Sequence, residues 1–132
     1  MEPNWTSVAG MADDSYHRAK GSRARATNEL KRGDLRQERE KTLTHRLDEL
    51  LAESIVFDRI SRICKLMAPE FIAERIGELR DNPDHDTDIQ DQNVFRKEWN
   101  AALDRALGQL RIRNAVEDAL RKARETPPNT RS

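Results

Sequence analysis

Leu43, Leu47, Leu50, Leu51 and Ile55 stand mostly three or four residues apart, the interval that sets side chains on one face of an α-helix. Past Ile55 the apolar arc widens to take in Val56, Phe57, Ile60, Ile63, Cys64, Leu66 and Met67. That breadth predicts a central helix buried from more than one side. Pro69 suits the first turn of the next helix, where its missing N–H is not needed, and it turns the chain near Ala68. Phe71, Ile72, Ile76 and Leu79 give that helix an inner face. The segment 81–92 (DNPDHDTDIQDQ) reads as a loop opened by Asn82-Pro83. A long last helix is predicted over 91–124. Its stripe begins with Val94, Trp99, Leu103, Ala106, Leu107 and Leu110 and continues through Ile112, Val116, Ala119, Leu120 and Ala123.

Ahead of Leu43 the pattern is thinner. Residues 1–12 (MEPNWTSVAGMA), with Pro3 and Gly10, read as a flexible arm whose Trp5 docks on its own domain. From Asp13 to Glu53 helix formers dominate, and Gly33 interrupts them. Asp34 followed by Gln37 has the spacing of a capping box. The run therefore reads either as two helices, a basic one within 14–36 and a firmer one over 34–53, or as one rod in which Gly33 costs about 1 kcal/mol. Thr126, Pro127 and Pro128 stop the last helix, and 125–132 reads as a disordered tail. The expected architecture is all-α. It is a small bundle of about four helices within 13–124 (34–53, 54–67, 69–80 and 91–124), with a long C-terminal helix.

Composition agrees with helices that each bury one stripe. Charged and hydrophobic residues each make up 36% of the chain, aromatics only 5%, and mean hydropathy is -0.94. Lysine plus arginine total 24 against 24 for aspartate plus glutamate, so no global field steers the protein toward polyanions. One cysteine makes no internal disulfide and favours a reducing compartment. The N-terminus lacks the apolar run of a signal peptide, and no stretch reaches the roughly 18 apolar residues of a membrane span. Cytoplasmic localisation is the expectation, with no membrane partner.

Candidate chemistry is sparse. Asp84, Asp86 and Asp88 open like an EF-hand loop, but Ile89 stands where the turn needs glycine and Phe95 where it needs the bidentate glutamate. An acidic loop favouring the next helix N-terminus is the preferred reading. His17, His45 and His85 lie far apart, and Cys64 falls inside an apolar run. No phosphate loop or nucleophile elbow occurs. The expectation is a non-enzyme without cofactor, metal or small-molecule substrate.

Three features speak for binding. Between Tyr16 and Arg36 stand Arg18, Lys20, Arg23, Arg25, Lys31, Arg32 and Arg36 against Glu29 and Asp34 only, a net charge of +5 able to lie along phosphates. Glu70, Glu74 and Glu78 form an (i, i+4) ridge suited to a basic partner. That ridge also weakens any reading of 55–80 as a helix-turn-helix, since three carboxylates in the recognition helix repel DNA. The stripe of the last helix, with Trp99, Leu103 and Leu110, is longer than the other helices are expected to cover. The leading expectation is therefore a helical protein-interaction module (adaptor, inhibitor or assembly factor) that self-associates or holds a protein partner. A small nucleic-acid-binding regulator using residues 18–36 is the alternative.

Overall fold

Asn4 starts the first helix: its side-chain Oδ1 accepts from the backbone N–H of Ser7 at 3.1 Å, satisfying an otherwise orphaned donor. The computed structural model describes residues 2–83 and 92–125, apart from the side chains of 92–94. Helix α1 spans Trp5–Lys31. The segment expected to be a flexible arm is thus the first two turns of this helix. Pro3 lies before the cap, Gly10 points to open space, and Trp5, Val8, Ala9 and Ala12 are buried. Their (i, i+3) and (i, i+4) burial supplies the stabilisation that propensity alone does not.

Gly33 ends α1 in the left-handed region (φ 73°), which settles the alternatives in favour of two helices. Helix α2 then runs Gln37–Leu66 without a break, merging the expected 34–53 and 54–67 segments. Nothing near Glu53 interrupts it, and Ser54 is accommodated by donating its hydroxyl to the Leu51 carbonyl at 2.9 Å. The two helices pair antiparallel. Near the turn, the Arg39 guanidinium grips both carboxylate oxygens of Glu29 (3.2 and 3.3 Å). At the far end, Ser61 and Lys65 both donate to Asp13 (2.5 and 2.7 Å).

The seam between them has a seven-residue period. Trp5, Ala12, Ala19 and Ala26 on α1 and Leu43, Leu50 and Phe57 on α2 are all buried. Alanine on one side lets the backbones approach closely while leucine and phenylalanine fill the groove.

Helix α3, Pro69–Gly77, follows an extended Ala68 (φ −62°, ψ 142°) and buries Ile72 and Ile76. The expected long last helix is instead two, α4 over Gln92–Gln109 and α5 over Arg113–Glu125. Arg111 sits in the left-handed region (φ 59°), with Ile112 N–H bonded to the Leu107 carbonyl and Arg111 N–H to that of Gly108. This is a Schellman stop, sealed by burial of Leu107 and Ile112. Five helices therefore make up the described residues, with no strand among them. No described helix is long and apolar enough to cross a membrane.

The main core joins Trp5, Val8 and Ala12 of α1, residues 52–60 of α2, Ile72 and Ile76 of α3, and the inner faces of α4 and α5. Trp99 lies at its centre and donates its indole N–H to the Leu79 carbonyl at 2.7 Å. Beyond this cluster α1 and α2 continue together as a two-helix arm, whose own buried residues are Ala19, Ala26, Leu43 and Leu50.

Candidate functional site

The expected partner-binding stripe is inside the molecule. Trp99, Leu103 and Leu110 are 0%, 1% and 3% exposed. The premise that this ridge outruns its own chain does not hold, for two physical reasons. The Schellman stop turns α5 out of line with α4, and α1 begins nine residues earlier than the expected start at 14, bringing Trp5 and Val8 into the same cluster. Val94, at the head of the stripe, has a side chain outside the described residues.

The glutamate ridge is only partly an open surface. Glu70, in the first turn of α3, is exposed; Glu74 is half-buried; Glu78 lies past the helix end and accepts from Arg75 at 2.8 Å. Close to it the structure reveals something the periodicity hid. Leu66 and Phe71, read from sequence as inward-facing, are 81% and 53% exposed at the α2–α3 corner. Ile72 and Ile76 take the buried face of α3, which leaves Phe71 rotated about 100° away. Leu66 ends α2.

The basic cluster lies along the arm. Arg18, Lys20, Arg23, Arg25, Lys31 and Arg32 are exposed on α1 and its C-cap, and Arg36 is exposed at the start of α2. Among the described residues none of these seven has a carboxylate within ion-pair distance. Cations elsewhere do: Arg62 with Asp58, Lys65 with Asp13, Arg80 with Asp104, Arg121 with Asp118. Arg18 and Arg25 instead donate to neutral hydroxyls, Ser15 Oγ at 3.2 Å and Ser22 Oγ at 3.0 Å. Lys20 stands over the Tyr16 ring, 5.8 Å from its centroid. Glu29, the acid nearest the centre of the cluster, is taken by Arg39 from α2, so it does little to neutralise the cations of α1. The arm consequently carries an uncompensated positive field on its α1 side.

Other reactive side chains are dispersed. His17 meets Tyr16 edge-on at 5.2 Å, and His45 lies 3.0 Å from Glu49 on the outer face of α2. Burial pushes the half-buried Cys64 thiol up to about 11, away from the thiolate form that reacts. No group of three or more His, Cys, Asp or Glu suited to a metal occurs among the described residues. Asp84, His85, Asp86 and Asp88 lie outside them. The α3 carboxyl end is tied to α4 by a reciprocal pair: Asp81 N–H donates to Asn100 Oδ1 (2.9 Å), and Asn100 Nδ2 donates to Asp81 Oδ1 (2.8 Å). A further charge contact, Arg80 with Asp104, sits beside it and raises the arginine above its ordinary value.

Sequence reasoning located the arm cations but missed the arm itself. Its signal was the alanine period 12, 19, 26 set against leucines 43 and 50, which an inspection for large apolar residues passes over. No protein-family model matches the chain, and no curated protein or solved structure matches it either.

Proposed function

We propose that this protein is a non-enzymatic binding module whose working surface is the basic arm and whose partner is a polyanion, with nucleic-acid phosphates the best chemical fit. The observation that carries this reading is the state of Arg18, Lys20, Arg23, Arg25, Lys31, Arg32 and Arg36, all exposed and none matched to a carboxylate among the described residues. Cations held in that way keep their full attraction for phosphate, and each phosphate neutralised releases condensed counterions. The α4 stripe offers a partner little surface, because Trp99, Leu103 and Leu110 are spent on the core. The dispersal of His17, His45 and Cys64 supports the non-catalytic part of the reading.

The test is fluorescence anisotropy of labelled nucleic acid titrated with the whole protein. Binding that weakens steeply from about 50 to 200 mM salt is expected. Absence of binding at the lower salt refutes the reading. A second reading keeps the protein-interaction module, with self-association or an adaptor role. It is favoured by the exposed Leu66 and Phe71 beside Glu70. Light scattering tests it: a species larger than the monomer that Phe71→Ser reduces to monomer supports it, and a monomer at all concentrations counts against self-association.

A further inference from the structure

We infer that the arm grips double-stranded nucleic acid along its phosphates, without reading sequence; this rests on the polyanion reading above. Arg18, Arg25 and Arg32 follow one another at intervals of seven residues, so they return to one side of α1 about every two turns, roughly 10 Å apart. Arg18 and Arg25 are aimed alike, each Nη2 resting on the serine hydroxyl three residues earlier. A hydroxyl fixes the guanidinium without neutralising it, leaving the remaining N–H donors for a bidentate phosphate contact. The row is about 20 Å long. A duplex carries about one charge per 1.7 Å of axis, both strands counted, so a row of this length meets several phosphates.

Three observations decide between duplex and single strand and between backbone and base contact. Residues 18–49 contain no Phe, Tyr or Trp, so the arm has no platform on which an unpaired base could stack. Tyr16, at its root, is half-buried and already engaged by His17 and Lys20. Two helices side by side measure roughly 20 Å across, too wide to enter as a unit a major groove about 12 Å wide. The arm therefore lies over the backbone, where contacts position but do not specify. The α1 side leads, because α2 carries Glu38, Glu40, Asp48 and Glu49 over the same length, whereas α1 offers only Glu29, held by Arg39.

The experiment compares four labelled probes on the whole protein by anisotropy: two unrelated duplexes of about 20 base pairs, one of their strands alone, and polyglutamate. The expected result is equal affinity for the two duplexes, within about twofold, and at least about tenfold weaker binding of the single strand. Converting Arg18, Arg25 and Arg32 together to alanine should flatten the logarithmic salt slope by about 3, while converting them to lysine should preserve it. All three are exposed, and helical circular dichroism verifies that the variants fold. Equal or tighter single-strand binding, or a clear preference between duplexes, overturns this inference and leaves the polyanion reading standing. No nucleic-acid binding at all overturns both, and binding of polyglutamate in its place redirects the arm to an acidic protein surface.

Discussion

A Cβ built on Gly77 would stand 2.7 Å from Leu120 Cδ2 and 2.8 Å from its Cγ, so the last residue of α3 is pressed directly against the middle of α5. The clash involves the root of the leucine side chain as well as its tips, so relief requires Leu120 to change rotamer or α3 and α5 to part. Gly77→Ala gains about 1 kcal/mol of helix propensity, and overpacking costs typically 1–3 kcal/mol. We expect net destabilisation of about 1 kcal/mol by urea denaturation. Adding Leu120→Ala should restore part of it, giving a non-additive double-mutant cycle.

Arg111 occupies a conformation that disfavours a side chain, at a place where many helices use glycine. Arg111→Gly relieves the left-handed penalty of about 1–2 kcal/mol and loses part of it to unfolded-state entropy. The expected outcome is stabilisation of about 0.5–1 kcal/mol, seen as a Tm rise of a few degrees. Arg111→Val should lower Tm.

The two tryptophans predict opposite responses to loss of the indole N–H. Trp99 Nε1 donates to Leu79, whereas Trp5 Nε1 is buried with no partner among the described residues. Trp99→Phe removes one of two hydrogen bonds to the Leu79 carbonyl, which the Asn82 N–H also reaches at 3.1 Å, while Trp5→Phe removes an orphan donor. Denaturation should find Trp99→Phe the more costly by about 1 kcal/mol.

Leu103 distinguishes a core stripe from a docking stripe. On an exposed interface, Leu103→Asp would leave a folded protein that merely fails to associate. At 1% exposure it buries a carboxylate without a partner, costing several kcal/mol. Loss of the cooperative thermal transition is expected; a folded, unimpaired variant would contradict the packing.

Stability should fall at both ends of the pH range, for different groups. Hydrogen bonds from Lys65 and Ser61 hold the Asp13 carboxyl below its ordinary value. Its contribution is therefore present above about pH 4 and is lost as pH falls through the lowered folded value. Cys64 behaves oppositely: burial raises its thiol to about 11, so unfolding releases a proton in alkali and stability declines as pH climbs above the ordinary 9.0 toward that value. Asp13→Asn should flatten the acid limb of a Tm–pH profile, and Cys64→Ala should shallow the alkaline limb. The intact thiol should also react slowly with iodoacetamide at neutral pH.

Much of the secondary structure was fixed locally, and for that reason legible. Gly33 stops α1 because its backbone adopts a positive φ, Pro69 opens α3 because it needs no donor there, and Ile72 with Ile76 mark that helix's buried face by spacing alone. The cations of 18–36 were legible too, since charge and exposure go together in a polar segment.

What the chain could not announce locally was decided by tertiary packing. Residues 5–12 become helix because Trp5, Val8 and Ala12 are buried in the core cluster shared with α2 and the later helices, a long-range gain that outweighs Gly10 and a weak propensity. The last helix divides at Arg111 because turning there lets Ile112, Val116 and Leu120 reach the core and α3, and that burial exceeds the strain at one residue. Periodicity gives each helix an apolar face but not what covers it. Burial of Trp99 and exposure of Phe71 were settled only when the helices met, and with them the choice of which surface remains for a partner.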